Sequence, residues 1–348
     1  MMKKIFISII IILNAWVIFS QANKSSGTNQ EQKVKQYYNK ALQRIKTSKY
    51  SEALNNLNIV IELDPNFTNA YLERGKVKLQ LNQNDGALVD FMKCLMLDEK
   101  SGEAIYGKGY ISFLKNEYDQ AVQDFTQAIA NGYTEPIIYY YRGVIRMVKQ
   151  DYTGANLDFT FAIDKRYNFA YAFHDRAGAK FKMKDLKGAQ DDYEKAIEYL
   201  PKFALAYNNL GNVKREQGDF PGAIEAYSKA IGLNPDYYLA YNNRGYALYL
   251  SGDRKGAIED FNKALTLHPD YPSAINNVAV SQAGDNNYKS ALENLNKVIE
   301  LNSEFGAAYI NRGYIKESQG DLDGAVNDWK TAEKLGVKEA EDYLKDYK

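Results

Sequence analysis

Residues 242–261 read NNRGYALYLSGDRKGAIEDF, and nearly the same string returns at 310–329 as INRGYIKESQGDLDGAVNDW. Each copy holds a helix-compatible stretch, a Gly-Asp turn and the start of a second helix. Stepping by 34 from Ala257 meets alanine every time: Ala53, Ala87, Ala121, Ala155, Ala189, Ala223, Ala257, Ala291 and Ala325. Nine alanines at one period, with no insertion or deletion, mark a repeat array. A second small series runs Ala41, Gly75, Gly109, Gly143, Ala177, Gly211, Gly245, Ala279 and Gly313; a third runs Val60, Cys94, Ala128, Ala162, Ala196, Ala230, Ala264, Val298 and Ala332. A fourth is large: Leu57, Phe91, Phe125, Phe159, Tyr193, Tyr227, Phe261, Leu295 and Trp329. Small residues on facing helices let the axes approach, and large ones three or four positions away fill the space beside them. Cys94 sits in a small-residue series and is expected to be a buried structural thiol. Pro136, after Asn131-Gly132, is placed to open a helix, and Gly336 to close the last long one.

The stretch AYNNLGNVKREQGDFPGAIEAYSKAIGLNPD, 206–236, resembles the tetratricopeptide repeat, a 34-residue helix–turn–helix unit. The resemblance implies an all-α chain, an α-solenoid wound as a right-handed superhelix of antiparallel helix pairs, first helices on the concave face. Nine repeats would occupy 34–339, at 34–67, 68–101, 102–135, 136–169, 170–203, 204–237, 238–271, 272–305 and 306–339. Ala340, Tyr343, Leu344 and Tyr347 then form one apolar stripe, so 340–348 reads as a short C-terminal capping helix.

Lys plus Arg and Asp plus Glu number 44 each, so the chain lacks the basic surplus of a general nucleic-acid binder. A lone cysteine allows no internal disulfide. Only His174 and His268 are available for imidazole chemistry, no nucleophile is placed near His174, and no phosphate loop or metal spacing occurs. The expectation is a protein that is not an enzyme and carries no cofactor or metal. At the N-terminus, MMKKIFISIIIILNAWVIFSQA has Lys3 and Lys4, an apolar run from Ile5 to Phe19 and small residues around Gln21, the layout of an export signal cleaved after Ala22. A retained anchor is the alternative, but the run is short against the roughly 20 residues of a bilayer span. Residues 1–22 are thus read as a cleaved signal and 23–33 as a polar, disordered leader. The mature protein is expected to be exported, periplasmic or secreted, touching a membrane only through an uncleaved N-terminal segment.

Arg244 stands where an aliphatic residue usually precedes the small Gly or Ala of this family. That position reads Lys40, Arg74, Lys108, Arg142, Arg176, Leu210, Arg244, Val278 and Arg312. Sixteen residues later stand Asn56, Asp90, Asp124, Asp158, Asp192, Ala226, Asp260, Asn294 and Asp328. In six of nine repeats a cation faces an aspartate; Lys40 faces Asn56, and Leu210 and Val278 face Ala226 and Asn294. The pattern predicts an ion pair between the two helices of one repeat, each cation with its own Asp.

The resemblance also implies a ligand face built from first-helix positions 2, 5, 6, 9, 12 and 13. Position 6 reads Asn39, Glu73, Gly107, Tyr141, Asp175, Asn209, Asn243, Asn277 and Asn311; position 5 adds Asn208, Asn242 and Asn276, and position 9 adds Asn212. A side-chain amide offers donors and an acceptor, so such a ladder suits the backbone of an extended peptide whatever its sequence. Tyr106, Tyr110, Phe113, Tyr140, Tyr141 and Tyr171, with Tyr246, Tyr249 and Tyr314, give an aromatic alternative suited to a glycan or cell wall. Tyr207, Tyr241 and Tyr309 are expected in the core, and His174 beside Asp175 as a polar surface pair. The family's carboxylate clamp is absent: position 5 is never Lys, and position 6 is never Lys or Arg. The reading is a scaffold that binds another protein or a peptide segment.

Overall fold

The computed structural model describes residues 29–347, and every described residue lies in a helix, a turn or a short connection. The chain divides into two compact units, one ending at Asp151 and the other beginning at Tyr152. The first holds α1 (29–46), α2 (Tyr50–Leu63), α3 (Thr68–Gln80), α4 (Asn84–Leu97), α5 (Gly102–Leu114), α6 (Tyr118–Ala130) and α7 (Pro136–Val148). The second holds α8 (Tyr152–Lys165), α9 (Ala170–Lys182), α10 (Leu186–Tyr199), α11 (Ala204–Glu216), α12 (Phe220–Leu233), α13 (Tyr238–Leu250), α14 (Arg254–Leu267), α15 (Pro272–Gly284), α16 (Tyr288–Leu301), α17 (Gly306–Ser318), α18 (Leu322–Lys334) and α19 (Glu339–Leu344), then a 3-10 turn, Lys345–Tyr347.

Within each unit consecutive helices pack on one another. Odd-numbered helices also touch the next odd one: α3 meets α5 in the first unit, and α11, α13, α15 and α17 meet in series in the second. The fold is all-α, a solenoid of helix pairs whose odd-numbered helices share one wall. α1 begins at residue 29, so 29–33, read as part of a disordered leader, are its first residues. Gln30 donates to the Leu63 carbonyl at 2.5 Å and Lys35 to Glu31 at 2.9 Å, which ties this turn down. The export segment 1–22 and residues 23–28 lie outside the described residues.

All nine alanines of the series are fully buried, as are Leu57, Phe91, Phe125, Phe159, Tyr227, Leu295 and Trp329. Cys94 is buried too, and burial pushes its thiol up. The alternation of Gly and Ala in the second series has a steric cause. A Cβ on Gly75, Gly211 or Gly245 would stand 2.7, 2.6 or 2.8 Å from the ring of Phe91, Tyr227 or Phe261. In these pairs the ring rests on bare backbone; with Leu57 and Leu295 the small residues are Ala41 and Ala279, and Ala177 with Tyr193 is the exception, a ring paired with alanine.

The turn inside each pair contains one residue of left-handed backbone. It is glycine at Gly218, Gly252 and Gly320, but Ser48, Asn82, Asn116, Gln150, Lys184 and Asn286 hold φ between 56° and 65°. Asp185, Asp219, Asp253 and Asp321 then cap the second helix by accepting from the amide of the glycine three residues on. At the C-terminus, α19 buries Ala340 and Leu344, the latter in one cluster with Trp329, and Tyr343 stacks on the Trp329 ring at 5.1 Å.

Arg244 answers the question its position poses. Its Nε and Nη2 donate to the two oxygens of Asp260, each at 2.7 Å. Arg74–Asp90, Arg176–Asp192 and Arg312–Asp328 form the same fork, and Lys108 Nζ meets one oxygen of Asp124 at 2.9 Å. The hydrogen bonds to Asp260 hold the Arg244 guanidinium above its ordinary value. Two features were not foreseen. The third nitrogen, Nη1, reaches back to the preceding even-numbered helix: Arg74 to Asn58 (2.8 Å), Arg142 to Thr126 (3.2 Å), Arg176 to Thr160 (3.0 Å), Arg244 to Ser228 (3.0 Å) and Arg312 to Asn296 (2.7 Å). Each such Arg therefore staples successive pairs together. Nor does each Asp serve one cation: Lys78, Lys180 and Lys316 also pair with Asp90, Asp192 and Asp328 at 2.7, 2.8 and 2.9 Å.

Candidate functional site

The asparagines of the second unit form a hydrogen-bonded chain across the wall of odd-numbered helices. Asn243 Nδ2 donates to Asn208 Oδ1 (3.1 Å), Asn277 to Asn242 (3.0 Å) and Asn311 to Asn276 (2.9 Å). Each bond joins position 6 of one repeat to position 5 of the one before. Asn208, Asn242 and Asn276 are buried as acceptors, while Asn209, Asn243, Asn277 and Asn311 are half-buried. The two ends explain themselves. Ile310 occupies position 5 in the last pair, where no further asparagine follows to be held. At the other end the acceptor is His174, whose Nε2 lies 3.1 Å from Asn209 Nδ2. An amide N–H can only donate, so Nε2 accepts and the ring proton sits on Nδ1, 2.7 Å from Asp175 Oδ1. His174, half-buried against Phe203 at 4.8 Å, is thus part of the ladder as well as of a polar pair with Asp175. The dipeptide Asn-Asn at 208, 242 and 276 was the signal for this arrangement.

Beside the ladder lies a hollow of about 430 Å³, walled by Asn242, Asn243, Asn276, Asn277 and Asn311, with Phe261, Val280 and Phe305 as apolar lining. Tyr246, Tyr249 and Arg215 also line it. A second hollow of about 320 Å³ shares Tyr249, Val280 and Asn311 and runs on to Tyr314 and Tyr343. Each of Asn243, Asn277 and Asn311 commits one N–H to its neighbour, and among the described residues no donor reaches its Oδ1. The wall therefore offers a row of oriented amides beside apolar and aromatic surface, fit to hold a polar backbone and seat its side chains. Asn208 and Asn209 extend the ladder without lining this hollow, and Asn212 is occupied: its Oδ1 accepts from the Tyr227 hydroxyl at 2.8 Å.

The tyrosines of the first unit behave differently. Tyr106 stacks on Tyr133 at 4.9 Å and on Tyr110 at 6.2 Å, Tyr110 meets Tyr141 at 5.0 Å, and Tyr141 meets Phe113 at 5.0 Å and Tyr140 at 5.6 Å. Burial pushes the phenols of Tyr106 and Tyr141 above their ordinary value and that of Tyr133 up to about 12. Their rings are largely spent on one another. Tyr171, Tyr246 and Tyr314 are exposed. Tyr207, Tyr241 and Tyr309, expected in the core, are only half-buried, and the guanidiniums of Arg244 and Arg312 lie over the last two at 5.7 and 5.4 Å. His268 packs on Tyr238 at 4.8 Å in the connection after α14. Among the described residues no helix is long and apolar enough to cross a membrane, and no three His, Cys, Asp or Glu side chains gather as a metal site.

Family models match four segments: "TPR repeat" at 211–252, and "Tetratricopeptide repeat" at 68–101, 192–225 and 238–271. Together with the helix pairs these matches make the chain a tetratricopeptide-repeat protein. It is similar in fold to pilF of Pseudomonas aeruginosa (18% identity, TM-score 0.52, 61% of this chain and 97% of that one). It is similar too to the C-terminal part of a TPR repeat-containing protein from Cytophaga hutchinsonii (23%, 0.51, 69% and 99%). No curated protein matches the chain in sequence.

Proposed function

We propose that this chain is a non-catalytic scaffold that holds an extended segment of another protein along the amide ladder of its second unit. The observation that carries the reading is the row Asn243, Asn277 and Asn311, each amide oriented by its neighbour with its oxygen left to a ligand. An extended segment repeats its own N–H and C=O groups along its length, so a row of amides can pair with it without reading its sequence. The family's general role in protein–protein contact supports the class of partner. The signal-like residues 1–22 support a place outside the cytoplasm.

Crosslinking in living cells, mass spectrometry and synthesis of the captured segment supply the assay. Replacing Asn209, Asn243, Asn277 and Asn311 together by Ala is expected to weaken binding of that segment by about a hundredfold or more, since several hydrogen bonds of about 1 kcal/mol each are lost. Replacing Tyr106, Tyr140 and Tyr141 should leave it unchanged; the reverse result would move the site to the first unit. N-terminal sequencing of the protein from an exporting host should begin at Asn23, and an intact Met1 would remove the cleavage reading.

A further inference from the structure

Arg215, on α11, differs from the arginines that fill the charged layers of the second unit. Arg176, Arg244 and Arg312 each grip an Asp with two nitrogens. Arg215 has one protein contact of this kind, Nη2 to Glu216 Oε1 at 3.2 Å, and Glu216 is itself 40% exposed. The guanidinium lies over the ring of Tyr246, on the next odd-numbered helix, at 5.4 Å. It is the single charged side chain lining the 430 Å³ hollow, and the adjoining hollow is lined by no charge at all. A guanidinium laid on an aromatic ring is held in place and partly stripped of water, with its other N–H groups still to be used. Such a group in a wall otherwise made of neutral amides and apolar side chains calls for one oxyanion.

Resting on the groove reading above, we infer that the segment held by the ladder carries an Asp or Glu side chain that docks on Arg215. A single monovalent cation suits a carboxylate; a phosphate dianion would leave a charge uncompensated. The carboxylate belongs to a side chain rather than to a chain end because Arg215 lies within the ladder's run. His174 on α9 precedes it, and Asn277 and Asn311 on α15 and α17 follow it, so a segment engaging these rungs passes Arg215 and continues. The aromatic wall of Tyr249, Tyr314 and Tyr343 then seats an apolar residue further along.

The test uses the full chain after export and fluorescein-labelled decapeptide pools, random at nine positions and fixed at the fifth as Asp, Asn or Lys, all amidated; a fourth pool has Asn fixed and a free C-terminal carboxylate. The Asp pool is expected to bind about tenfold tighter than the Asn pool, and the Lys pool weakest. Arg215→Gln should erase the preference, Arg215→Lys should retain part of it, and Glu216→Gln should increase it. Equal binding of Asp and Asn pools, or a preference that survives Arg215→Gln, overturns the inference. So does a free-carboxylate pool that binds as tightly as the Asp pool. Binding of any pool should fail in the Asn209/Asn243/Asn277/Asn311 alanine variant. If it does not, or if no pool binds, the groove reading falls first and the inference with it.

Discussion

The second unit sets two solutions to one packing problem side by side. At α13/α14 the space between paired helices is filled by Arg244 and Asp260; one pair earlier, at α11/α12, the corresponding side chains are Leu210 and Ala226, each 6% exposed. The charged layers at α9/α10 and α17/α18 follow the first solution, and Val278 with Asn294 at α15/α16 follows the second, with the Asn294 amide donating to Gln282 at 2.9 Å. The helices pair in the same way in both kinds of layer. What the fold requires at this position is a filled volume in which a buried Asp or Arg is paired. The fork supplies this with strong directional bonds that largely offset the cost of drying two ions.

Breaking the charged layer on one side should therefore have the largest effect. Asp260→Ala leaves Arg244 charged, three-quarters buried and without its partner, and is expected to cost about 3–5 kcal/mol. Arg244→Leu combined with Asp260→Ala copies the α11/α12 layer and should recover all but about 1 kcal/mol. Urea unfolding followed by circular dichroism measures both, with hydrogen exchange in α13 and α14 locating the loss. A double variant as weak as the single one would show that the two layers are not interchangeable.

A second experiment isolates what the layers share. In each, a ring lies on a glycine: Tyr227 on Gly211 in the apolar layer and Phe261 on Gly245 in the charged one. Gly211→Ala and Gly245→Ala should each cost about 1–3 kcal/mol through overpacking, and by similar amounts. Adding Phe261→Leu to Gly245→Ala reproduces the Ala279/Leu295 pairing and should relieve most of the strain. Unequal costs would tie the glycine to the ion pair beside it.

The parts of this design that were legible in the sequence are those fixed by one repeat alone. The alanines, the large series and the sixteen-residue Arg–Asp offset recur because size and charge must match inside a helix pair. Contacts between repeats were harder to see. The third nitrogen of each Arg donates to Asn, Thr or Ser equally well, so Asn58, Thr126, Thr160, Ser228 and Asn296 form a series by chemistry rather than by identity. The ladder's step of 35 hid His174, which does an asparagine's accepting with a ring nitrogen. Lys184 and Gln150 hid the left-handed turn, since nothing in their chemistry favours that backbone. Arg215 escaped notice because its importance lies in where the fold puts it, over the Tyr246 ring and at the edge of the hollow.

The smallest expected effect lies in the first unit, where one layer is an incomplete version of the charged solution. Lys108 Nζ and Gln120 Nε2 both donate to Oδ1 of Asp124, at 2.9 and 3.0 Å, and the buried Oδ2 has no hydrogen-bond partner. Two layers' worth of evidence shows what would fill it: the Nε and Nη2 of Arg74 reach both oxygens of Asp90, and those of Arg244 both oxygens of Asp260. Lys is a point donor on a flexible stem and Arg a planar fork, so Lys108→Arg should satisfy Oδ2 and stabilise the first unit by about 1 kcal/mol. The gain should grow when Met92→Asn is added, because Met92 stands where Asn58 gives Arg74 the acceptor for its third nitrogen. A shift of the unfolding midpoint to higher urea, larger in the double variant, is the expected result. A loss in both would mean that the fork stabilises its layers through the stacked guanidinium and not through the second oxygen, and the ion pair would then be no closer to completion at Arg244 than at Lys108.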